Sequence, residues 1–141
     1  MTATEADPDK QAIADITKVA DRLFAAIENG ETAELDRLWN EDIAVWRVGE
    51  IRDNDKDRAR RVIDWFVGAT TQRRYEILDR QVFYDDGPSA GFVQQHVLHA
   101  TGHNGESISM RVCIVIKLGA DHLINRIDEY FDPAELAPLL A

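Results

Sequence analysis

The chain has 141 residues, 45% hydrophobic and 30% charged, and its 26 acidic and 16 basic residues leave a formal charge of -10. That length suits one domain of ordinary size, and the mixed composition supports a packed core rather than a disordered chain. The acidic balance disfavours phosphate backbones and anionic membrane surfaces, so no nucleic-acid or membrane partner is expected. A single cysteine, Cys113, makes no internal disulfide, and the beginning Met-Thr-Ala-Thr-Glu-Ala-Asp has neither the basic nor the apolar region of a signal sequence; together these predict a cytoplasmic protein.

Residues 1–9 are polar and acidic and read as a loose arm before a single domain spanning residues 10–141. From Lys10, Ile13, Ile16, Ala20, Leu23 and Ile27 recur at spacings of three and four, which predicts a long amphipathic helix stopped by Asn29-Gly30. Thr32 caps a shorter helix with Leu35, Leu38 and Trp39 inward. Asn40-Glu41-Asp42 breaks it before a short strand from Ile43 to Val48. Asp53-Asn54-Asp55 offers caps for a third helix, lined on one face by Ala59, Val62, Ile63 and Phe66 and ended by Gly68.

The period then changes to two. Strands are predicted over residues 73–83, 90–101, 107–118 and 123–131, joined by Asp85-Asp86-Gly87-Pro88, Gly102-His103-Asn104-Gly105 and Gly119-Ala120-Asp121-His122. Short, turn-rich connections make this an antiparallel meander. Asp132-Pro133 caps a last helical turn through Leu140.

Leu38-Trp39-Asn40-Glu41-Asp42, the run Gly91-Phe92-Val93-Gln94-Gln95-His96-Val97-Leu98-His99 and the terminal Arg126-Ile127-Asp128-Glu129-Tyr130-Phe131-Asp132 resemble the SnoaL-like branch of the NTF2-like superfamily. The resemblance extends from about Gln11 to Leu140. It implies an α+β cone: three N-terminal helices packed on a curved antiparallel sheet around an apolar pocket, usually in a dimer. The branch and its neighbours include ketosteroid isomerases, limonene epoxide hydrolases and polyketide cyclases, so the resemblance implies no single reaction.

On the strand 107–118, Ile108, Met110, Val112, Ile114 and Ile116 share one parity and Ser109, Arg111 and Lys117 the other, so the apolar set faces the core. Aligning by resemblance to the epoxide hydrolases makes Gln95, Val97 and His99 inward on the preceding strand and Ile127, Glu129 and Phe131 inward on the last. Those hydrolases use an arginine and two aspartates; the matching positions here are Gln95, Val97 and Glu129, so two of the three groups are replaced. The carboxylate base of ketosteroid isomerases falls at Trp46-Arg47, and their acidic donor at or beside Ile114.

What this alignment leaves is a trio of Gln95, His99 and Glu129 in an apolar cavity: Glu129 as base, His99 as its acid–base complement and Gln95 as oxyanion donor. Trp46, Val97, Met110, Val112, Ile114 and Phe131 form walls, and Arg47 is either a ligand contact or a surface cation. A shift of one residue in parity replaces the trio by Gln94, His96 and Asp128, with Tyr130; both sets stay open at this stage. His96 and His99 point to opposite faces and cannot share a metal, and no glycine-rich phosphate loop is present, so neither metal nor cofactor is expected. The remaining readings are a cofactor-independent acid–base enzyme acting on a small apolar oxygenated molecule, or a non-catalytic binding or assembly module of the same fold. In either case the partners expected are a small apolar ligand and a second copy of the chain, placed across a convex sheet face carrying Phe92, Leu98, Cys113, Val115 and Tyr130.

Overall fold

A computed structural model of the protein describes residues 8–85 and 90–140. The first helix, α1 (Pro8–Glu28), begins within the predicted arm, whose residues 1–7 lie outside the described residues. Ile16, Val19, Ala20, Leu23, Phe24 and Ile27 are buried along its inner side. Gly30, at a φ of +71°, ends it. Its N–H bonds to the carbonyl of Ile27, and that of Glu31 to Ala26, a Schellman arrangement that satisfies the last carbonyls.

A 3-10 turn (Thr32–Glu34) leads into the single-turn α2 (Leu35–Leu38), and β1 (Trp39–Arg47) starts at once. Asn40-Glu41-Asp42, expected to break the chain, is therefore strand, and Trp39 heads β1 instead of closing a helix. The edge position of β1 explains this, because among the described residues its outer side meets only an isolated bridge from Asn54 to Val45, and the polar residues remain in water. Next come α3 (Lys56–Ala69), capped by the Asp55 carboxylate on the N–H of Arg58, β2 (Thr70–Tyr84), β3 (Ala90–Gly102), β4 (Ser107–Leu118) and β5 (Ile124–Phe131). The predicted loop Asp85-Asp86-Gly87-Pro88 lies mostly outside the described residues. Asp132 caps a 3-10 turn (Pro133–Leu136) that runs into α4 (Ala137–Leu140).

The sheet order is β1-β5-β4-β3-β2. Three antiparallel pairings match the meander, but β1 joins β5 in parallel, so the sheet is mixed and has five strands rather than four. A bulge at Leu78 interrupts the β2–β3 register and bends β2, which helps curve the sheet around the helices. Gly91 lets β3 and β4 approach closely, since a Cβ there would lie 2.0 Å from the Ile116 carbonyl oxygen.

Arg73 ties the helices to the sheet. Its guanidinium donates to the carbonyls of Ile27 (2.9 Å) and Glu28 (3.2 Å) at the end of α1, and to those of Val67 (3.3 Å) and Thr70 (3.2 Å) at the end of α3. A cation at two helix C-termini satisfies orphan carbonyls and complements both dipoles.

As expected, Ile108, Met110, Val112, Ile114 and Ile116 are buried toward the helices. Register carries that face across the sheet: Phe92, Gln94, His96, Leu98 and Ala100 on β3 stand opposite them, as do Ile127, Glu129 and Phe131 on β5. Phe92 and Leu98 are thus core residues, not part of the convex face.

Candidate functional site in the cone

Two adjoining cavities lie between the sheet and the helices. The inner one, about 50 Å³, is bounded by Leu23 and Phe24 of α1, Trp39 and Val45 of β1, and Ile114 and Ile127. The outer one, about 110 Å³, opens past Met110, Phe131 and Leu136 toward Trp65 of α3. Arg47, Ile63, Tyr75 and Glu129 border both and form a polar waist. A larger recess of about 610 Å³ near Thr71, Arg74, His99 and Ser109 is solvent-open and polar, without the enclosure that would strengthen electrostatic interactions.

Glu129 reaches the waist because its parity on β5 matches Ile114 on β4. On its other side it is the register partner of Arg47 on β1, whose Nε lies 3.6 Å from Glu129 Oε1. Burial raises the Glu129 carboxyl above its ordinary value, Arg47 pulls it back, and Glu50 raises it again. The 27% of its side chain that stays accessible is explained by the cavities it borders. Arg47 is only 14% accessible, so it is a wall of the site and not a surface cation.

Behind this waist runs a buried polar chain. Arg80 pairs with Asp21 (2.7 Å) and donates from Nε to Gln94 Oε1 at 2.8 Å. An arginine only donates, so the Gln94 amide must present its nitrogen to His96 Nδ1, 2.8 Å away. Nδ1 therefore accepts, and the proton sits on Nε2. Burial, with Arg80 contributing, pushes the His96 pKa down to about 4 and keeps the ring neutral. The ring is 1% exposed and meets Phe24 and Tyr75 edge-on, at 5.5 and 5.0 Å between centroids. Tyr75 is raised above its ordinary value by burial and by the charges of Glu129 and Glu28, so its hydroxyl keeps its proton.

Neither predicted polar set assembles as a unit. Gln95, Val97 and His99 pair with Cys113, Arg111 and Ser109, on the face away from the helices. Cross-strand partners point the same way, so the register with β4 overrides the alignment that made them inward. His99 there lies between Ser109 Oγ (2.9 Å) and Glu76 Oε1 (2.8 Å). Sheet N–H groups lie in the plane of the sheet, so no oxyanion donors converge above Ser109 and the chain is a surface ladder. Asp128 is also outward, held by Arg126 at 2.9 Å together with Asp53. Trp46, expected as a wall, shares that face, packing on Tyr130 at 5.2 Å and donating to the Glu50 carbonyl.

The cone thus combines Gln94 and His96 from one expected set with Glu129 from the other. Arg47, Met110, Ile114 and Phe131 line the cavities, while Val112 is buried on the same face without lining them. Tyr75 and Trp39 were not singled out as site residues. The bulge at Leu78 scrambles the alternation around Tyr75, and Trp39 carried a helix reading; only its aromatic size beside a polar run hinted otherwise.

A curved mixed sheet with helices on one face and a cavity between them defines an NTF2-like cone. The chain belongs to the SnoaL-like domain family, whose sequence profile matches residues 20–127. Among solved structures it is similar to an LEH-like epoxide hydrolase from M. tuberculosis, at 17% identity and a TM-score of 0.68 over 90% of both chains. It is also similar to PrhC from Penicillium brasilianum, at 14% identity and a TM-score of 0.76 over 90% of this chain and 86% of that one. An NTF2-like protein from Anabaena variabilis shares 17% identity, with a TM-score of 0.70 over 93% of this chain and 96% of that one. No curated protein matches the sequence. At such identities the likeness establishes the fold, and among the described residues no helix is long and apolar enough to cross a membrane.

Proposed function

We propose that the cone is an acid–base site for a small, largely apolar, oxygenated molecule, with Glu129 accepting a proton from the substrate and returning it. The observation carrying this reading is a carboxyl at the waist of two apolar cavities, raised by burial above its ordinary value and attended by one cation. Arg47 holds the ionised form in place and offers charge to a developing oxyanion. The bound molecule fills both cavities and excludes water from the waist. Isomerisation, cyclisation, dehydration and hydration all need such a group; no cofactor or metal is required for the proton transfer itself.

A second reading is favoured by the same ion pair. If Arg47 holds Glu129 permanently as its counter-ion, the cone is a binding module and no proton moves. A ¹³C titration of the Glu129 carboxyl separates the two: the enzymatic reading expects a midpoint well above the ordinary 4.5, and a midpoint at or below it favours the module. We also propose a homodimer in the cytoplasm, formed across the outer face where Trp46, Val97, Cys113, Val115 and Tyr130 are carried, of which Tyr130 is 46% exposed.

A further inference from the structure

Among the described residues, four buried side-chain atoms lack both a hydrogen-bond partner and open surface: Trp39 Nε1, Arg60 Nε, Arg80 Nη2 and His96 Nε2. The Tyr75 hydroxyl differs from these. It has no hydrogen-bond partner either, yet it is not sealed, so it keeps surface of its own. Tyr75 borders both cavities, and the charge of Glu129 acts on its hydroxyl, which puts that surface at the waist. Arg47 and Glu129 border the same two cavities and stand 3.6 Å apart, without a side-chain hydrogen bond between them. A buried tyrosine kept only for packing spends its hydroxyl on a nearby acceptor. Glu28, whose charge also reaches Tyr75, is taken up by the Tyr75 backbone N–H at 2.7 Å.

We infer that Tyr75 is a further catalytic residue of the cone, its hydroxyl donating to a carbonyl oxygen of the substrate. This rests on the reading of the cone as a site of proton transfer to Glu129 and narrows the substrate to carbonyl compounds. The donor is locked in place. Its ring packs on Phe24 at 4.8 Å and stands perpendicular to His96 at 5.0 Å. His96 ends the chain from Asp21 through Arg80 and Gln94, which lines neither cavity, so buried polar bonds fix the surface against which Tyr75 rests. A donor already immobile loses little freedom when a ligand oxygen arrives.

The chemistry of the pair selects among the reactions open to Glu129. Opening an epoxide or expelling a hydroxyl requires a group that gives its proton away, and Tyr75, raised above its ordinary value, does so poorly. An enolate requires only a hydrogen bond to its oxygen. Glu129 takes the proton from a carbon beside the carbonyl, and the C–H electron pair becomes the enolate. Tyr75 keeps its own hydrogen throughout, and Glu129 returns the proton to carbon. Isomerisation and cyclisation therefore suit the waist better than hydration.

The test uses cyclohexanone carrying ¹³C at the carbonyl and methylenecyclohexane, which has the same shape and no oxygen. Infrared difference spectra of the bound ketone report the hydrogen bond, and calorimetry gives both affinities. The carbonyl stretch should lie lower in wild type than in Tyr75→Phe, which keeps the ring against Phe24 and His96. Tyr75→Phe should lower ketone affinity about five- to tenfold and leave the hydrocarbon within about twofold. An equal stretch in the two proteins, an equal change for both probes, or no binding of the ketone overturns the inference. If Tyr75→Phe fails to fold, wild type with tyrosine labelled at ¹³Cζ decides. The Tyr75 signal, assigned by elimination with Tyr84→Phe and Tyr130→Phe, should move further with the ketone than with the hydrocarbon, and equal movement overturns the inference. None of these readouts uses turnover or the titration of Glu129, so failure of the proton-transfer reading would show separately, in the Glu129 titration.

Discussion

Arg47 and Glu129 are register partners on parallel neighbouring strands, 3.6 Å apart at the waist between the two cavities. The pair is set by the β1–β5 crossover, not by local sequence, and it decides how far burial can raise the carboxyl. Replacing Arg47 with Met removes the attraction that opposes that rise. The Glu129 titration midpoint should move further up, and any pH limb it controls should move with it. Loss of one partner from a largely buried pair should also lower stability by about 1–2 kcal/mol in urea unfolding. An unmoved midpoint would mean that the pair is not formed in solution.

Arg73→Met tests the clamp at the ends of α1 and α3. Several charge-assisted bonds to carbonyls are lost while the aliphatic stem is kept, so stability should fall by about 2–4 kcal/mol. Urea unfolding should show this as a lower midpoint with an unchanged slope. A fall below about 0.5 kcal/mol would show that solvent replaces those bonds without loss.

His96 makes a signed prediction for pH. Its folded pKa, about 4, lies below its ordinary 6.5, so the unfolded chain binds the extra proton in between. Stability from this residue is complete above pH 6.5 and lost as pH falls toward 4, by about 3 kcal/mol. Glu129 acts in the opposite direction, since its raised pKa lets the folded state take up a proton first as pH falls. Chemical unfolding of Glu129→Gln from pH 7 to pH 4 should therefore show a steeper acid loss than wild type. Equal slopes would contradict the raised Glu129 carboxyl, and a variant whose stability does not fall between pH 6.5 and pH 4 would contradict the lowered His96 ring.

Much of this was legible from residues. The run Ile108, Met110, Val112, Ile114, Ile116 is apolar on one parity alone, so β4 declared its inner face. On β3 both parities mix polar and apolar groups: Gln94, His96 and Leu98 against Gln95, Val97 and His99. Pattern alone cannot separate them, and the register with β4 decides. Arg47 looked exposed because a parallel partner more than 80 residues away leaves no local periodicity. Tyr75 was hidden by the bulge at Leu78, after which the inward parity of β2 switches to Arg80 and Val82.

The dimer proposal is read by light scattering at micromolar concentration. A mass about twice 15.9 kDa is expected, and Tyr130→Arg, on the exposed outer face, should return the mass to that of one chain without a change in fold. A wild-type monomer would leave that face to water or to another partner.

The central claim is that Glu129 transfers a proton. The direct measurement is turnover of epoxides, enones and hydroxyketones by wild type, Glu129→Gln and Asp128→Asn, with melting temperature recorded for each. Glu129→Gln keeps the shape and removes the proton acceptor, so turnover should fall by a factor on the order of 10² to 10⁴, while the melting temperature falls by no more than loss of the Arg47 pair entails, about 1–2 kcal/mol. Asp128→Asn, on the outer face with Arg126, should leave turnover near wild type. Turnover that survives in Glu129→Gln, or that is lost in Asp128→Asn with the fold intact, would contradict the account.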